Sequence, residues 1–435
     1  MSRKLKRAAR CAATRSLRLE RLESRRLLHG ESVALPELPD TTALAARHEG
    51  DVCYAEPAAD ADEIPPLVLS ATSAGTSERV GADSASQTRA LDANRDGKID
   101  SGELRSWLTW WRQSRSESGP SAESGVAEPP VSRLADVPDY GTDRDWYLNA
   151  IEAPEAWAAG HTGRGVTVAV IDTGADLANS ELARRLWRNT GEVPNNGRDD
   201  DGNGYVDDVY GWDFVHDDAT PQDRNGHGTH VATLLAGNRD GQGVTGVAYG
   251  SRVMVLQGLA DDGGGNTRDV AEAIHYAVDQ GADIINLSLS GGPSSTLQRA
   301  IEYAGEHGVL VVAAAGNSSA SRAAAPASLS GSLTNVLAVG ATDREGDRAD
   351  FSNLAGGAVQ VMAPGVALRA AVPGGYATYS GTSMATPLVS GLAALALSAD
   401  PSLTAEQLRQ RIVDGASHSA AGRFVDAAAT IAHLS

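Results

Sequence analysis

The sequence predicts an α/β fold for residues 141–435: three layers, αβα, with a mostly parallel central sheet. Two observations carry the prediction. Short, nearly continuous apolar runs recur at VTVAVID (166–172), RVMVLQ (252–257), DIINLSL (283–289), VLVVAAAG (309–316) and NVLAVGAT (335–342). A strand apolar on both sides is covered on both faces, as parallel strands under helices are. Between the runs lie glycine turns and helical segments such as TRDVAEAIHYAVDQG (267–281), so strand and helix alternate.

Composition narrows the function. The chain has 435 residues, 41% of them hydrophobic, which suffices for a substantial core. No run of eighteen apolar residues occurs, so no membrane span is expected. The net charge of −19 is uneven: residues 1–30 hold ten Arg/Lys against two Glu, or +8, leaving −27 for the rest. An acidic body argues against nucleic-acid binding and suits carboxylate clusters that hold cations. Cys11 and Cys53 are the two cysteines, so neither a disulfide framework nor a CxxC metal site is present.

The N-terminal third divides into four parts. Residues 1–30 are basic but lack the apolar stretch of a secretory signal. Within them, LERLESRRLL (19–28) resembles a short LExRxLL motif of surface and secreted bacterial proteins, which implies export to the exterior or cell surface. Residues 31–83, rich in Ala, Pro, Asp, Glu, Ser and Thr without periodicity, read as a disordered linker. Residues 84–113 hold DANRDGKIDSGE and then ELRSWLTWWRQ, whose Leu104, Trp107, Leu108 and Trp111 share one helix face. Residues 114–140 form a second polar linker.

DANRDGKIDSGE has the spacing of a calcium loop. Asp92, Asn94, Asp96, Asp100 and Glu103 occupy positions 1, 3, 5, 9 and 12, Gly97 makes the sharp turn, and Lys98 offers its carbonyl. It resembles a single EF-hand. A sensor normally pairs two such loops, so a lone one is expected to be a structural clip or a calcium-dependent docking element. A second acidic stretch, NNGRDDDGNGYVDDVYGWDF (195–214), places Asp199, Asp201, Asn203 and Asp207 at alternate positions. Its twelfth position is Tyr210, so Asp213 is the candidate to replace the missing carboxylate. Hard oxygen donors of this kind favour Ca²⁺.

Three further segments carry nucleophilic chemistry. VIDTGAD ends a buried strand in Asp172, NGHGTHVA (225–232) opens a helix with His227, and SGTSMATPLVSGLAALAL (380–397) opens another with Ser383. A hydroxyl nucleophile needs a base for its proton and a carboxylate to orient that base. The order Asp…His…Ser separates this arrangement from the other convergent triads, and no GxSxG elbow surrounds Ser383.

On these three segments, residues 141–435 resemble the catalytic domain of the subtilisin-like serine proteases. The resemblance implies Ser383 as nucleophile, His227 as general base and then acid, and Asp172 as the orienting carboxylate. His230, in the same HGTH, is expected to be a packed helix residue. Asn317 in AAAGNSS (313–319) would donate its amide to the oxyanion beside the Ser383 N–H. Extended peptide substrates would pair with two backbone edges: Gly263, Gly264 and Gly265 on one side, Ser288, Leu289 and Ser290 on the other. Ala314, Ala315 and Gly316 would wall the P1 pocket, whose small apolar lining implies apolar or aromatic P1 residues. SLSGGP has one residue more than the usual SLGGP of the family.

The function expected is therefore a secreted or surface serine endopeptidase, monomeric, calcium-stabilised and acting on polypeptides. Its competitors are a calcium-dependent interaction protein with a vestigial protease domain and an esterase using the same triad. The intact triad residues weigh against the first, and the peptide-pairing edges against the second. Residues 31–140 show no compact pro-domain pattern, and DVPDYGTDRDWYLNAIEAPEAW (136–157) resembles the start of a mature enzyme, so processing is expected in the 113–140 linker.

Overall fold

A computed structural model describes residues 52–55, 59–60, 145–353 and 358–432. All belong to one compact unit, residues 1–65 with 138–435; the other unit, 66–137, lies outside the described residues, as does the loop Asp92–Glu103. In chain order the first elements are β1 (Val52–Ala55), β2 (Ala59–Asp60), α1 (Trp146–Ala150), α2 (Ala153–Ala158), β3 (Thr167–Asp172), β4 (Gly211–Asp213), α3 (His227–Ala236) and β5 (Arg252–Gln257). Next come β6 (Gly264–Asn266), α4 (Thr267–Asp279), β7 (Ile284–Leu287), β8 (Leu289–Gly291), α5 (Ser295–Glu306), β9 (Leu310–Ala314) and β10 (Val336–Thr342). The last are β11 (Val361–Pro364), β12 (Leu368–Val372), β13 (Gly375–Ser380), α6 (Thr382–Ala399), α7 (Ala405–Gly415), β14 (Ser417–Ser419), β15 (Gly422–Phe424) and α8 (Ala427–Ile431).

The central sheet has the order β14-β15-β11-β10-β9-β7-β3-β5-β4 and is parallel except for the β14/β15 hairpin. Strand alternation decides the layers. Val168 and Val170 of β3 face a core built with Val231 and Leu234 of α3 and Leu388 and Leu392 of α6. Ala169 and Ile171 face the opposite core, with Val270 and Ile274 of α4 and Leu297 and Ile301 of α5. The three-layer αβα expectation is met, with each anticipated strand and the 267–281 helix present.

Local chemistry fixes the helix starts. The Asn266 side chain accepts from Arg268 N and Asp269 N to cap α4, and Ser294 accepts from Leu297 N to cap α5. Thr404 and Gln407 close a capping box on α7. Helix α6 is long and apolar enough to cross a bilayer by composition, yet 89% of it is buried inside the protein. It is a core helix.

Two strands fall within the stretch expected to be a linker. β1 lies between β6 and β8, antiparallel to both, and β2 pairs with β13.

Candidate active site

The chain order of the sheet places the site. β3 has β5 on one side and β7 on the other, so the strand order reverses about β3 and a crevice opens beyond its carboxyl end. Val170 of β3, Asn286 of β7 and Val312 of β9 are in register. Two residues further along each chain stand Asp172, Ser288 and Ala314, a row along the rim of that crevice.

Asp172 is fully buried, and its Oδ1 lies 2.8 Å from Nδ1 of the equally enclosed His227. The Thr173 N–H donates to the same Oδ1 at 2.8 Å. His227 is held by the start of α3, whose first N–H groups would otherwise lack partners. His227 N donates to Asn225 Oδ1, Gly228 N to Thr173 Oγ1 and Thr229 N to Asp223 Oδ2. A Cβ on Gly228 would stand 2.1 Å from the Gly174 carbonyl, so α3 packs against the turn after β3 only because this residue is glycine.

Asp223, which no sequence motif singled out, ties these parts together. Its Oδ1 accepts from Thr173 Oγ1, Asn225 N and Gly226 N; its Oδ2 accepts from Thr229 N and Oγ1. An aspartate just ahead of a helix start is a readable capping signal, and it stood four residues before His227.

Ser383 opens α6. Pro387 lies four residues on and has no N–H to give the Ser383 carbonyl. That carbonyl accepts instead from Ser288 Oγ at 2.8 Å, Ser288 accepts from Asn286 Nδ2 at 3.0 Å, and Asn286 Oδ1 accepts from Ser390 Oγ at 2.8 Å. The Ser383 hydroxyl donates to the Ser288 carbonyl at 3.0 Å. Asn317 is brought to the same place: its Oδ1 accepts from Thr382 N at 2.9 Å, and its buried Nδ2 has no hydrogen-bond partner among the described residues.

Asn353 shapes the loop that carries Asn317. Its Oδ1 accepts from Ser318 N, Ser318 Oγ and Ala320 N, while its Nδ2 donates to the Ala315 carbonyl. Gly316 has φ +105°, and a Cβ there would stand 2.3 Å from Asn353 Nδ2. His230 is fully buried, gives Nε2 to the Leu368 carbonyl at 3.1 Å and stacks on Tyr379. Burial, then the neighbouring His227, pushes its pKa down to about 3.

The anticipated peptide edges flank this site. Gly264 and Gly265 lie in β6 or its pairing, Gly263 makes the turn ahead of it with φ +82°, and Leu289 and Ser290 belong to β8. Ala314 and Ala315 are fully buried beside Gly316. Gly291, which follows the additional serine of SLSGGP, bridges to Ala325.

The acidic insertion departs from the sequence expectation in its details. Ligand oxygens of Glu192, Asp199 and Asp201 lie within 4.8 Å of one another. Asp207, expected beside them, accepts from Asn196 N and Gly197 N. Asn203 Oδ1 accepts from Tyr205 N, and its Nδ2 donates to the buried Asp208. Asp213, the candidate for the twelfth position, accepts from His216 N and lies 2.8 Å from His216 Nδ1. Asp208 also accepts from Tyr276 Oη at 2.6 Å and anchors the insertion to α4; burial holds its carboxyl above the usual range. Glu192 lies ahead of the quoted stretch, so reading the loop as one contiguous motif missed it. The donor set is all carboxylate oxygen, which suits a hard cation.

The Subtilase family model matches residues 163–429. The chain belongs to the subtilase family. Among its relatives, subtilisin BL of Lederbergia lenta is 39% identical over 269 residues, covering 61% of this chain and 89% of that protein. Thermitase of Thermoactinomyces vulgaris is 38% identical over 259 residues, covering 59% and 83%. The crystal structure of a cold-adapted subtilisin-like serine proteinase superposes with TM-score 0.51 at 34% identity, over 61% of this chain and 90% of that one. This subtilase is accordingly a serine endopeptidase, a hydrolase of peptide bonds.

Proposed function

We propose that Ser383 is the nucleophile, His227 its general base and Asp172 the carboxylate that orients and charge-balances His227. The 2.8 Å contact between the buried Asp172 and His227 carries the reading. That contact fixes Nδ1 as the proton-bearing nitrogen and leaves Nε2 to accept the Ser383 proton. Ser383 Oγ attacks the scissile carbonyl, and His227 then gives its proton to the leaving amine. A water repeats the sequence on the acyl-enzyme and restores the hydroxyl. Asn317 Nδ2 and the Ser383 N–H would receive the oxyanion. In support, Asn317 is oriented through its own Oδ1, so its amide N–H₂ needs no reorganisation during the reaction.

Substrate would bind as an added strand between Gly263–Gly265 and Ser288–Ser290, with Ala314, Ala315 and Gly316 against the P1 side chain. Calcium is proposed for the Glu192, Asp199 and Asp201 cluster, where it would relieve carboxylate repulsion and hold the insertion closed. An extracellular or surface site of action is proposed from the sorting-like segment at 19–28.

The test compares Ser383→Ala with the parent on a denatured protein substrate, with and without a chelator. Loss of hydrolysis in the variant is expected, and equal hydrolysis by the two would overturn the mechanism. A chelator that leaves activity and melting temperature untouched would remove calcium from the account.

A further inference from the structure

Arginines collect at the rim of the sheet opposite the active site. Arg252 is the first residue of β5 and pairs in register with Thr167, while Gln257 at the other end of the strand pairs with Asp172. At about 3.3 Å per residue the two rims stand roughly 17 Å apart. Beside β5, Arg185, Leu186 and Trp187 run parallel to it: Val253 N donates to the Arg185 carbonyl, Trp187 N to the Val253 carbonyl, and Leu186 bridges to Val253. That pairing brings Arg184 and Arg185 to Arg252. Arg252 Nη1 donates to the Arg184 carbonyl at 2.6 Å, and Arg185 Nε to Asn238 Oδ1 at 2.9 Å. Arg239, next to Asn238, lies over the rings of Trp157 and Tyr249 and gives Nη1 to the Tyr249 hydroxyl. Burial, then the charges of Arg252 and Arg184, pull the pKa of Arg185 below the usual guanidinium range.

Four of these cations lack a counter-charge. Among the described residues, arginine pairs with carboxylate at Arg224–Asp261 and Arg268–Glu272, and none of Arg184, Arg185, Arg188 and Arg252 belongs to such a pair. The carboxylates of neighbouring segments are engaged elsewhere: Glu181 accepts from the Tyr376 hydroxyl, Asp240 from Gln242 N and Asp283 from Thr167 N. Arg184, Arg188 and Arg252 stand exposed. Repulsion among like charges held together in this way is what a bound anion would relieve. No lysine occurs beyond Lys98, so each cation here is a planar fork that grips sulfate or carboxylate oxygens two at a time.

We propose that Arg184, Arg185, Arg188 and Arg252 form an anchoring site for an anionic polysaccharide, on the face turned away from the catalytic crevice. The surroundings select this occupant. The chain beyond residue 30 carries −27. A wide nucleic-acid duplex or a membrane touching the patch would also meet that acidic surface, whereas a thin polymer need follow only the ribbon of arginines. Trp157 and Tyr249 are taken by Arg239 and by each other, 5.2 Å apart edge to face, and Trp187 packs onto the core behind the sheet. None of these rings is open to stack the bases of a single strand. An acidic peptide is itself a substrate for an endopeptidase, while a polysaccharide survives the enzyme it holds. Because the patch lies at the far end of the strands from Asp172, the bound polymer would fix the enzyme in place and leave its groove open to polypeptides. Anchoring of this kind does not depend on which residues form the triad.

The test uses the full chain in a Ser383→Ala background, which prevents self-digestion. Heparin and polygalacturonate present sulfate and carboxylate on a sugar chain, and a single-stranded oligonucleotide of matched charge is the competing polymer. Affinity is measured against salt concentration for three proteins. These are the parent, a patch variant with Arg184→Ala, Arg188→Ala and Arg252→Ala, and a control with Arg299→Ala, Arg322→Ala and Arg423→Ala. Arginine modification by phenylglyoxal, read residue by residue by mass spectrometry, locates the contact in the parent and separates it from the basic residues 1–30.

Binding of either polysaccharide should weaken about tenfold or more in the patch variant and by about twofold at most in the control. The slope of log affinity against log salt should shrink by about 2–3, close to one for each cation removed. The polymer should slow modification of Arg184, Arg185 and Arg252 by about fivefold or more and leave Arg299 and Arg423 unchanged. Equal affinities of the patch variant and the control overturn the site, as does protection confined to residues 1–30. An oligonucleotide that binds as tightly, and loses as much in the patch variant, overturns the polysaccharide as occupant. Equal melting temperatures of parent and patch variant exclude unfolding as the cause, and the protection pattern in the parent needs no substitution at the patch.

Discussion

Asp223→Asn is the substitution whose effect follows most directly from the geometry. The Asp223 carboxylate is 2% exposed and accepts five hydrogen bonds, three on Oδ1 and two on Oδ2. An asparagine keeps one oxygen. At best it retains the three bonds on the Oδ1 side and sets an N–H₂ against the N–H and hydroxyl of Thr229. Two charge-assisted bonds are lost, each worth about 1.5–3 kcal/mol. The Thr229 hydroxyl can turn to accept, so the net loss is about 3–5 kcal/mol. Against a typical total of about 5–15 kcal/mol that is a large share, and it corresponds to a fall of about 10 °C in melting temperature. Because Asp223 joins Thr173, next to Asp172, to the first turn of α3, His227 should lose its fixed placement as well. We expect kcat to fall about tenfold or more with KM nearly unchanged. Stability is best measured in a Ser383→Ala background, which prevents self-digestion, and kinetics with Ser383 intact. A variant with parental melting temperature and parental kcat would refute the positioning role of Asp223.

Three more outcomes are expected. Asn317→Ala removes the buried amide donor and should lower kcat about 10²–10³-fold with little change in KM, the loss that removing an oxyanion donor causes in a subtilisin; a loss below threefold would exclude Asn317 from the oxyanion site. His230 takes up its proton near 3 in the native protein and near the ordinary 6.5 when unfolded, so the unfolded chain binds more protons between those values and stability falls as pH drops through that window, by up to about 1.4 kcal/mol per unit. His230→Gln, which can still donate to the Leu368 carbonyl, should flatten the stability profile between pH 6.5 and 4, and superimposable profiles would contradict this. Asp201→Ala should remove the dependence of melting temperature on added calcium, whereas an unaltered calcium titration would move the site elsewhere.

The parallel sheet and the motif segments were legible because each is local. A buried strand writes its burial into consecutive residues, and the helix starts at His227 and Ser383 are marked by glycines and small polar residues beside them. Asp223 was less visible, since its five donors come from two separate segments and no single window displays them together. Asn286, Ser390 and Asn353 were hidden for the same reason: each is a polar residue inside an apolar pattern, and its partner lies on another element. The acidic insertion misled in a different way. Its carboxylates were assigned by their spacing in one loop, whereas the carboxylates whose oxygens converge include Glu192 from outside that loop beside Asp199 and Asp201. The two short strands at 52–60 carry almost no periodicity. Their pairing depends on open edges elsewhere in the chain.

The missing N–H of Pro387 has a further consequence for α6. Sixteen consecutive residues of that helix, Thr382–Leu397, are buried on all sides, with small and similar apolar side chains around the whole circumference. Such a cylinder has no preferred face, and packing alone would tolerate it rolling about its axis or sliding by a fraction of a turn. The file Ser390–Asn286–Ser288–Ser383 works as a keyway, meeting the helix at two points seven residues apart and setting its rotational phase against the sheet. A proline that looks like a defect in the helix thereby frees the one carbonyl through which the nucleophile's bearing is set.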